Sequence, residues 1–409
     1  MEATPLAKFS IQLQPGARPT KCGHLRRFSP KEKAFLDQQL DMLERAGFIR
    51  YLQYSDWLAP IVIAPKRGPC PGDDLRFCVG YTALNAATLT DHYPLPNIDE
   101  VLDNLNGFAF YSTFDGFSGY YSIQLDEQSV PLTAFLTPRG IAAWTVLPFG
   151  LKNAPPAYCR VVDQTFQGLE RTATFVDDTG RGSVDEQSIP IDIRGVLERV
   201  RGAKLKLKPR KCRIGYPTVA FVGHVISADG IETQRDKVRQ VQERVAPRNR
   251  EEVRAFLGLV GYYRRFVRSF SDLAQPLTAL LSQKTAFQWG PKEEQSFVAL
   301  KNALITAPIL GKPDFEAAKP GSSRPFLLDT DASHFAIGGV LSQTDEQGDE
   351  HPIYFFSRKL TAAERNYSTT EREGLALICS VQRLRACLLG SAVIIRTDHS
   401  ALAGLFRSV

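Results

Sequence analysis

Apolar residues recur at helical spacing in two strong stretches, and the first has readable ends. Ser29, Pro30 and Glu32 have the sequence of a capping box with proline at the first helical position. Apolar residues follow every three to four positions until Gly47: Phe35, Leu36, Leu40 and Leu43. Because such residues share one helix face, the pattern predicts an amphipathic helix beginning at Pro30 and ending at Gly47.

The second strong stretch begins at Asn249, which has Glu252 three positions later. Its apolar stripe consists of Val253, Phe256, Leu257 and Val260. Three arginines follow the stripe: Arg264, Arg265 and Arg268. Cations are favoured at a helix C-terminus by the helix dipole, so the sequence predicts a helix with a basic C-terminal end.

Short β-like runs recur along the chain between these helices. They are Ala59–Ala64, Leu75–Val79, Phe108–Phe114, Tyr121–Leu125, Ala134–Thr137, Ala142–Leu147 and Ala173–Val176. A helical stretch, Asn153–Phe166, interrupts them. Helices and strands that alternate without a regular repeat favour an α+β fold over a doubly wound α/β fold.

The last hundred residues have a pattern of their own. A Pro/Gly/Ser-rich stretch, Lys312–Pro325, has the composition of a linker. The elements predicted after it are a hairpin of Phe326–Thr330 with Gly338–Ser342, a helix over Thr370–Leu389 that ends at Gly390, and a strand over Ala392–Arg396.

Composition narrows the class of protein. The chain has 409 residues, a net charge of +6 and seven cysteines. No cysteine pair has zinc-finger spacing, which indicates reduced intracellular thiols. No run approaches the roughly 18 apolar residues of a membrane span, and the N-terminus lacks a signal-peptide core. We therefore expect an intracellular protein, in a cytoplasmic particle or the nucleus, with no membrane partner.

Positive charge is concentrated between Arg194 and Arg213, where nine Lys/Arg residues accompany one acid, Glu198. Such a block suits a polyanion, because each neutralised phosphate releases counterions. A solvated basic surface explains the block equally well.

One group of carboxylates, drawn from two segments, carries the candidate chemistry of the first 225 residues. Asp177 and Asp178 follow an aromatic residue in the tetrad Phe175–Asp178, and Asp115 ends an earlier β-like run. Adjacent carboxylates repel unless a cation or solvent intervenes. Acids at the ends of neighbouring strands can hold a pair of Mg²⁺ ions for phosphoryl transfer.

Several segments, in order along the chain, resemble the reverse transcriptases of gypsy-class LTR retrotransposons. Residues 111–125 resemble their first catalytic-aspartate segment, and 147–155 their nucleotide-site loop. The tetrad Phe175–Asp178 resembles their aromatic-X-Asp-Asp turn. Residues 221–224 resemble the primer grip, and 256–266 resemble the element after it.

The resemblance implies a role for each matching residue. Asp115 and Asp177 would be the main metal ligands, helped by the Val176 carbonyl, with Asp178 near the primer terminus. Tyr120 falls where the family places the aromatic that blocks a ribose 2′-OH, although a core tyrosine is the ordinary alternative. The other implied contacts are Lys66, Arg76, Phe149 and Gly150 for the nucleotide, and Phe221, Val222, Gly223, His224, Lys204 and Lys206 for primer and template.

A second set of acids follows the linker. Asp331 and Asp398 lie at predicted strand ends, and Glu373 continues a helical apolar stripe made of Leu377, Val381, Leu384 and Leu388. Glu371 falls off that stripe. With the segments 357–360 and 364–367, the region resembles the RNase H domain of the same elements. The resemblance makes Asp331, Glu373 and Asp398 three of its metal ligands, whereas Glu373 alone would be an acid favoured at a helix start.

The implied fold is α+β: a right-hand polymerase with fingers, palm and thumb, then a connection and a truncated RNase H-like α/β domain. The expected boundaries are an N-terminal extension (1–25), fingers and palm (26–225), thumb and connection (226–310), a linker (311–325) and the RNase H-like domain (326–409). Implied ligands are Mg²⁺ or Mn²⁺, an RNA template, a DNA primer, an RNA–DNA hybrid and dNTPs. Little or no RNase H cleavage is expected, since the chain stops before the family's fourth acid and last helix.

Three departures from the family pattern keep other hypotheses open. Gly80 stands at a usual aspartate and Thr82 at a usual basic residue. Thr179–Ser183 is poor β sequence where the family has an apolar strand, so the returning arm of the catalytic hairpin is expected to be weak. The alternative hypotheses are a non-catalytic nucleic-acid-binding remnant and a host RNase H-like nuclease.

Overall fold

The computed structural model describes residues 3–20, 25–65, 75–94, 96–116, 119–283, 286–400 and 402. The chain divides into two units: the first contains residues 1–105 and 110–216, and the second contains residues 106–109 and 217–409. Across those described ranges, no helix is both long enough and apolar enough to cross a membrane.

The first unit alternates short strands and helices around one hydrophobic core. Its elements are β1 (Lys8–Phe9), α1 (Pro30–Arg45), β2 (Ile49–Leu52), β3 (Ile61–Pro65), β4 (Leu75–Val79), α2 (Thr82–Ala87), α3 (Ile98–Leu105), β5 (Phe110–Asp115), β6 (Gln124–Leu125), β7 (Phe135–Thr137), β8 (Gly140–Trp144), α4 (Ala154–Phe166), β9 (Thr172–Phe175), β10 (Asp178–Ser183), α5 (Ile189–Gly202) and β11 (Arg213–Tyr216). The largest sheet has the strand order β11-β5-β10-β9.

Helix α1 forms as its sequence predicts. Ser29 caps it and Glu32 bonds back to the Ser29 backbone, which completes the capping box. Leu36, Leu40 and Leu43 are buried, so the apolar stripe packs against the core.

The strand predicted over Tyr121–Leu125 is wrong for most of its length. Gly119–Ser122 forms a 3₁₀ helix, and only the last two residues pair, in parallel with β1. The Ser122 hydroxyl donates to the Gly119 carbonyl, and the Ile123 amide donates to the Tyr120 carbonyl at 3.1 Å. These local bonds compete with sheet pairing, so the alternating apolar pattern does not form a strand.

In its described residues, the second unit contains two sheets, with five helices between them in sequence and two more before the last strand of the second sheet. Its elements are β12 (Thr218–Phe221), β13 (His224–Ser227), β14 (Gly230–Thr233), α6 (Arg235–Gln242), α7 (Arg250–Gly261), α8 (Phe270–Leu273), α9 (Gln275–Ala279), α10 (Pro291–Ile305), β15 (Phe326–Ala332), β16 (Ala336–Thr344), β17 (Glu350–Lys359), α11 (Thr369–Arg383), α12 (Arg385–Leu388) and β18 (Val393–Arg396). The larger sheet has the order β17-β16-β15-β18, with β15 and β18 parallel.

The helix predicted over Thr370–Leu389 divides at Leu384, after which α12 forms one further turn. Glu373, Leu377 and Leu384 are buried, as the stripe predicts, but Val381 is exposed. The stripe is therefore wrong at that position, because the buried face of α11 consists of Glu373, Ala376, Leu377 and Ser380, and Val381 lies off that face.

Residues 311–325 lie against the sheet of the second unit. Ala318 is fully buried, and its carbonyl accepts a hydrogen bond from the Ala392 amide. The Gln343 side chain donates to the carbonyls of Asp314 and Arg324, both at 2.9 Å. A Pro/Gly/Ser-rich composition therefore coexists here with specific packing.

Candidate active sites

Three aspartates of the first unit meet at one end of its largest sheet. Asp115 ends β5, Asp178 begins β10, and the two are directly paired across the antiparallel strands. Asp177 occupies the turn between β9 and β10, and its carbonyl accepts a hydrogen bond from the Gly116 amide at 3.3 Å. The structure thus brings together the three acids that the sequence singled out.

The turn that carries Asp177 has an unusual backbone. Val176 has φ +54°, in the left-handed region. A β-branched residue there is an outlier, and such conformations cost of the order of 1–3 kcal/mol. The tight turn lets adjacent aspartates reach the same end of the sheet.

Two lysines that the sequence analysis did not select hold the Asp115 carboxylate. Lys208 Nζ lies 3.1 Å from one oxygen, and Lys211 Nζ lies 3.3 Å from the other. The Lys208 amide also donates to the Asp115 carbonyl at 2.9 Å. The basic block around residue 208 therefore contributes directly to the site, a role that its composition alone did not reveal.

The carboxylates at this end perturb one another. Burial by surrounding atoms and the charge of Asp115 raise the pKa of Asp177, although Lys208 opposes the shift. The pKa of Asp178 is raised by burial, Asp115 and Asp177, with Lys211 opposing. Because each ionised acid disfavours ionisation of the next, the group has an excess of negative charge that a cation would relieve.

Tyr120 is buried beside this group. Its ring meets that of Phe149 edge to face at 4.9 Å and that of Tyr158 at 5.3 Å. Burial and the Asp177 carboxylate raise the pKa of Tyr120 to about 12. A Cβ atom at Gly119 would lie 2.3 Å from the Tyr158 ring, so glycine is required there. Tyr120 therefore forms one wall of the site while packing as a core residue.

The loop between β8 and α4 contains Phe149 and Gly150. Phe149 is half exposed, and Gly150 has φ +94°. Asn85 fastens the loop: its amide donates to the Gly150 carbonyl and its oxygen accepts from the Lys152 amide, both at 2.8 Å. Asn153 then donates to the Leu89 carbonyl at 2.8 Å. The nucleotide-loop candidates are thus held rigidly by side chains that the sequence analysis did not select.

Other predicted contacts of the first unit are more dispersed. Arg76 is exposed on β4, and Lys204 and Lys206 are exposed after α5. Lys66 lies outside the described residues.

The expected weakness of the catalytic hairpin's returning arm is wrong, because β10 is a full central strand paired with β5 and β9. Arg181 on β10 is only 6% exposed and forms a salt bridge with the buried Asp192 on α5. Ser183 donates to the other Asp192 oxygen at 2.7 Å. Burial would raise the pKa of Asp192, but the bonds from Arg181 and Ser183 and the charges of Arg181 and Arg171 outweigh it, so that pKa is lowered.

The hairpin of Phe221, Val222, Gly223 and His224 lies in the second unit. Val222 and Gly223 both have positive φ, as the two central residues of a type I′ hairpin turn require. Phe221 and His224 are buried, while Tyr262 and Tyr263 donate to the Val222 and Gly223 carbonyls at 2.6 and 2.7 Å. Phe221 and His224 thus support the turn, which leaves its two central residues accessible.

The second carboxylate group contains Asp331, Glu373 and Asp398. Asp331 is the penultimate residue of strand β15, Asp398 follows β18, and both are exposed. Glu373 is 5% exposed, and its Oε2 atom makes no hydrogen bond to the described residues. Burial raises the pKa of Glu373, and the charges of Asp331 and Asp398 raise it further. Glu371 instead caps α11 through Ser368.

Comparison with protein families gives two matches. Residues 64–226 match a family model of reverse transcriptases, the RNA-dependent DNA polymerases. Residues 289–395 match a model of the RNase H-like domain found in reverse transcriptases. The two matched regions contain both carboxylate groups except Asp398.

Similar sequences occur in retrotransposon polyproteins. The Pol polyprotein of transposon opus from Drosophila melanogaster is 36% identical over 382 residues, covering 90% of this chain and 37% of that protein. That of transposon 297 is 35% identical over 374 residues, covering 90% of this chain and 34% of its own length. The Tf2-3 polyprotein of Schizosaccharomyces pombe is 30% identical, with 92% and 28% covered. The chain spans about a third of the length of these curated relatives.

Solved structures share the fold. The foamy viral protease-reverse transcriptase dRH in complex with double-stranded DNA aligns with a TM-score of 0.83 at 22% identity, over 99% of this chain and 69% of that one. The foamy viral protease-reverse transcriptase in complex with RNA/DNA hybrid aligns with a TM-score of 0.79 at 21% identity, over 97% and 52%. These alignments agree with the expected polymerase and RNase H-like architecture.

Proposed function

Since the chain belongs to the reverse transcriptase and RNase H-like segment of gypsy-class LTR retrotransposon Pol polyproteins, we propose that it is an RNA-directed DNA polymerase. It would extend a DNA primer on an RNA or DNA template by transfer of a nucleotide from a dNTP. The observation that carries the proposal is the direct pairing of Asp115 with Asp178, with Asp177 in the adjoining turn.

The carboxylates suit a hard divalent cation such as Mg²⁺ or Mn²⁺. Among the described residues, no group of three or more Asp, Glu, His or Cys side chains is gathered closely enough to hold a metal by itself. Asp115, Asp177 and the Val176 carbonyl offer oxygen donors, and their excess negative charge favours a cation. When bound, two such ions would activate the primer hydroxyl and stabilise the leaving oxygen.

The residues around the carboxylates would bind the dNTP, the primer and the template, and would select the sugar of the nucleotide. Tyr120 and Phe149 form an aromatic wall that would lie against the sugar of a dNTP, where bulk excludes a 2′-OH. Arg76 would meet the triphosphate, since guanidinium groups suit phosphate oxygens. Val222 and Gly223 would meet the primer, while Lys204 and Lys206 would neutralise backbone phosphates.

A primer-extension assay tests the proposal. The purified chain is incubated with a DNA primer on an RNA template, the four dNTPs and Mg²⁺ or Mn²⁺, beside an Asp115→Asn variant. Extension by the parent and none by the variant supports the proposal. Tight template–primer binding without extension by the parent would instead identify a non-catalytic remnant.

The sequence predicts little or no cleavage of the RNA strand of an RNA–DNA hybrid, but one specific observation favours this second activity. Glu373 is a buried acid with an oxygen that no described residue satisfies, and a buried charge is costly unless it is paired or binds a cation. Incubation with a labelled hybrid and Mg²⁺ or Mn²⁺, beside an Asp331→Asn variant, tests it. Equal cleavage by both proteins would exclude this site.

A further inference from the structure

The first described residues of the chain lie alongside the segment that follows Tyr120. We call Thr4–Gln14 the N-terminal strap. The Thr4 amide donates to the Ser122 carbonyl at 2.7 Å, and β1 pairs in parallel with β6. Further along, the Ile11 amide donates to the Ser129 hydroxyl at 2.8 Å. One edge of the strap is therefore bonded along residues 122–129.

The C-terminal end of the strap is hydrogen-bonded to residues 87–89, next to the segment that holds the Phe149 loop. The Leu89 amide donates to the Gln12 carbonyl at 2.9 Å, and the Gln14 amide donates to the Ala87 carbonyl at 2.8 Å. Residues 85–91 in turn hold the Phe149 loop, through Asn85 on one side and Asn153 on the other. The strap thus joins the two segments that supply the aromatic wall.

Two strap side chains anchor it in the core. Phe9 and Ile11 are 7% and 8% exposed, and they belong to the same hydrophobic cluster as Tyr120. The Phe9 carbonyl also accepts a bond from the Asp126 amide at 3.0 Å. The strap is a packed element, and its displacement would disturb both segments together.

We propose that the N-terminal strap is a positioning element for nucleotide selection: it fixes the spacing between Tyr120 and the Phe149–Gly150 loop. This inference rests on the proposed polymerase function. The Tyr120 and Phe149 rings are in edge-to-face contact, so a small relative shift opens the wall. Binding sites need groups held within about 0.5 Å, and loosening the wall weakens dNTP binding and admits ribonucleotides.

The test compares Phe9→Ala with Leu40→Ala in the full chain. Leu40 is a fully buried residue of α1 in the same hydrophobic cluster, so its truncation removes core packing from an element other than the strap. For Phe9→Ala we expect the KM for dNTP to rise about fivefold and discrimination against ribonucleotides to fall about fivefold, with kcat within about twofold. Leu40→Ala should leave KM and discrimination unchanged.

A measurement that needs no activity accompanies the kinetics. Amide hydrogen exchange of residues 122–125 and 150–153 should be faster in Phe9→Ala than in Leu40→Ala. If Phe9→Ala does not fold, Gln14→Pro replaces it, because Gln14 is exposed and proline removes the amide that bonds Ala87.

The outcomes separate the two proposals. An inactive parent contradicts the polymerase function, while the exchange experiment still decides the role of the strap. An active parent whose strap variant matches Leu40→Ala in KM, discrimination and exchange overturns the strap inference. Coupled changes in all three quantities, confined to the strap variant, support it.

Discussion

Strands β10 and β15 are both central in their sheets, and each carries an acid of a candidate active site, but they form for different reasons. β15 begins with Phe326, Leu327 and Leu328, two of which are fully buried. β10 has no large apolar residue, and Arg181 lies in its buried part. Apolar content therefore accounts for one strand and not for the other.

The difference shows what replaces a missing apolar strand. β10 is paired with a strand on each side and anchored to α5 by the buried Arg181–Asp192 salt bridge. Such a pair adds little net stability, because desolvation offsets attraction, but removing one partner is strongly destabilising. The strand with Asp178 thus depends on an ion pair, whereas the strand with Asp331 depends on apolar packing.

The largest expected effect is a loss of primer extension on substitution of Asp177, without a change in hybrid cleavage at the Asp331 site. Asp177→Asn should lower primer extension at least about a thousandfold, as loss of a residue acting in the transition state does. Template–primer affinity should stay within a few-fold, because phosphates are positioned by Lys/Arg and backbone groups. Gel-based extension and fluorescence anisotropy measure the two quantities. Hybrid cleavage should be unchanged in this variant. A parallel loss of both activities would show that the two carboxylate groups do not act as separate sites.

The next effect concerns the stability of β10. Asp192→Asn leaves Arg181 buried with an uncompensated charge and should lower the free energy of unfolding by about 3–5 kcal/mol, measured by urea denaturation. The lowered pKa of Asp192 means that its contribution is present above the unfolded-state pKa and is lost as pH falls through the folded-state pKa.

A double variant is the control for that experiment. Arg181→Met with Asp192→Leu removes both charges and should lie within about 1–2 kcal/mol of the parent, since apolar pairs often replace buried ion pairs without loss. If the double variant is as unstable as Asp192→Asn, β10 depends on the residues' shapes rather than on their charges.

A smaller effect is expected at the aromatic wall beside β10. Tyr120→Ala should improve ribonucleotide incorporation about tenfold, equivalent to about 1.4 kcal/mol of transition-state discrimination. Phe149 would remain in place. Competition between dNTP and rNTP in single-nucleotide extension measures the change. Unchanged sugar discrimination would show that the ring serves only as core packing.

The smallest effect concerns the acid beside β15. The pKa of Glu373 is raised in the folded protein, so its contribution to stability is present below the unfolded-state pKa and is lost as pH rises through the folded-state pKa. Glu373→Gln should therefore raise the metal-free unfolding midpoint at pH 7 by about 2 °C, and by less near pH 5. Calorimetry with a chelator at both pH values measures this, and a lower midpoint at pH 7 would contradict it.

The sequence correctly predicted the features that depend only on residues close together in the chain. The capping box at Ser29, the Asn249 cap and the inward direction of Glu373 depend on spacing within a few residues, and the structure agrees with all three. Family resemblance similarly located Asp115, Asp177 and Asp178 at one end of a sheet.

What the sequence did not predict depends on contacts between distant residues. Lys208 and Lys211 reach Asp115 from more than 90 positions away, and Asn85 reaches Gly150 across 65 positions. Asp192, which anchors β10 through Arg181 and Ser183, likewise lies on another element. Propensity describes single segments, so a strand stabilised by its neighbours is invisible to it.

Val176 gives the hairpin that carries Asp177 and Asp178 a property that matters for protein engineering. A left-handed valine is an evident target for stabilisation, because glycine or asparagine tolerates that backbone at little cost. The same relief would free the peptide carbonyl that the turn holds beside Asp177, and the hairpin would visit more conformations. Improved heat resistance obtained at this position would then come with slower catalysis, so a durable version of the protein is better sought in α1 or at exposed helix ends.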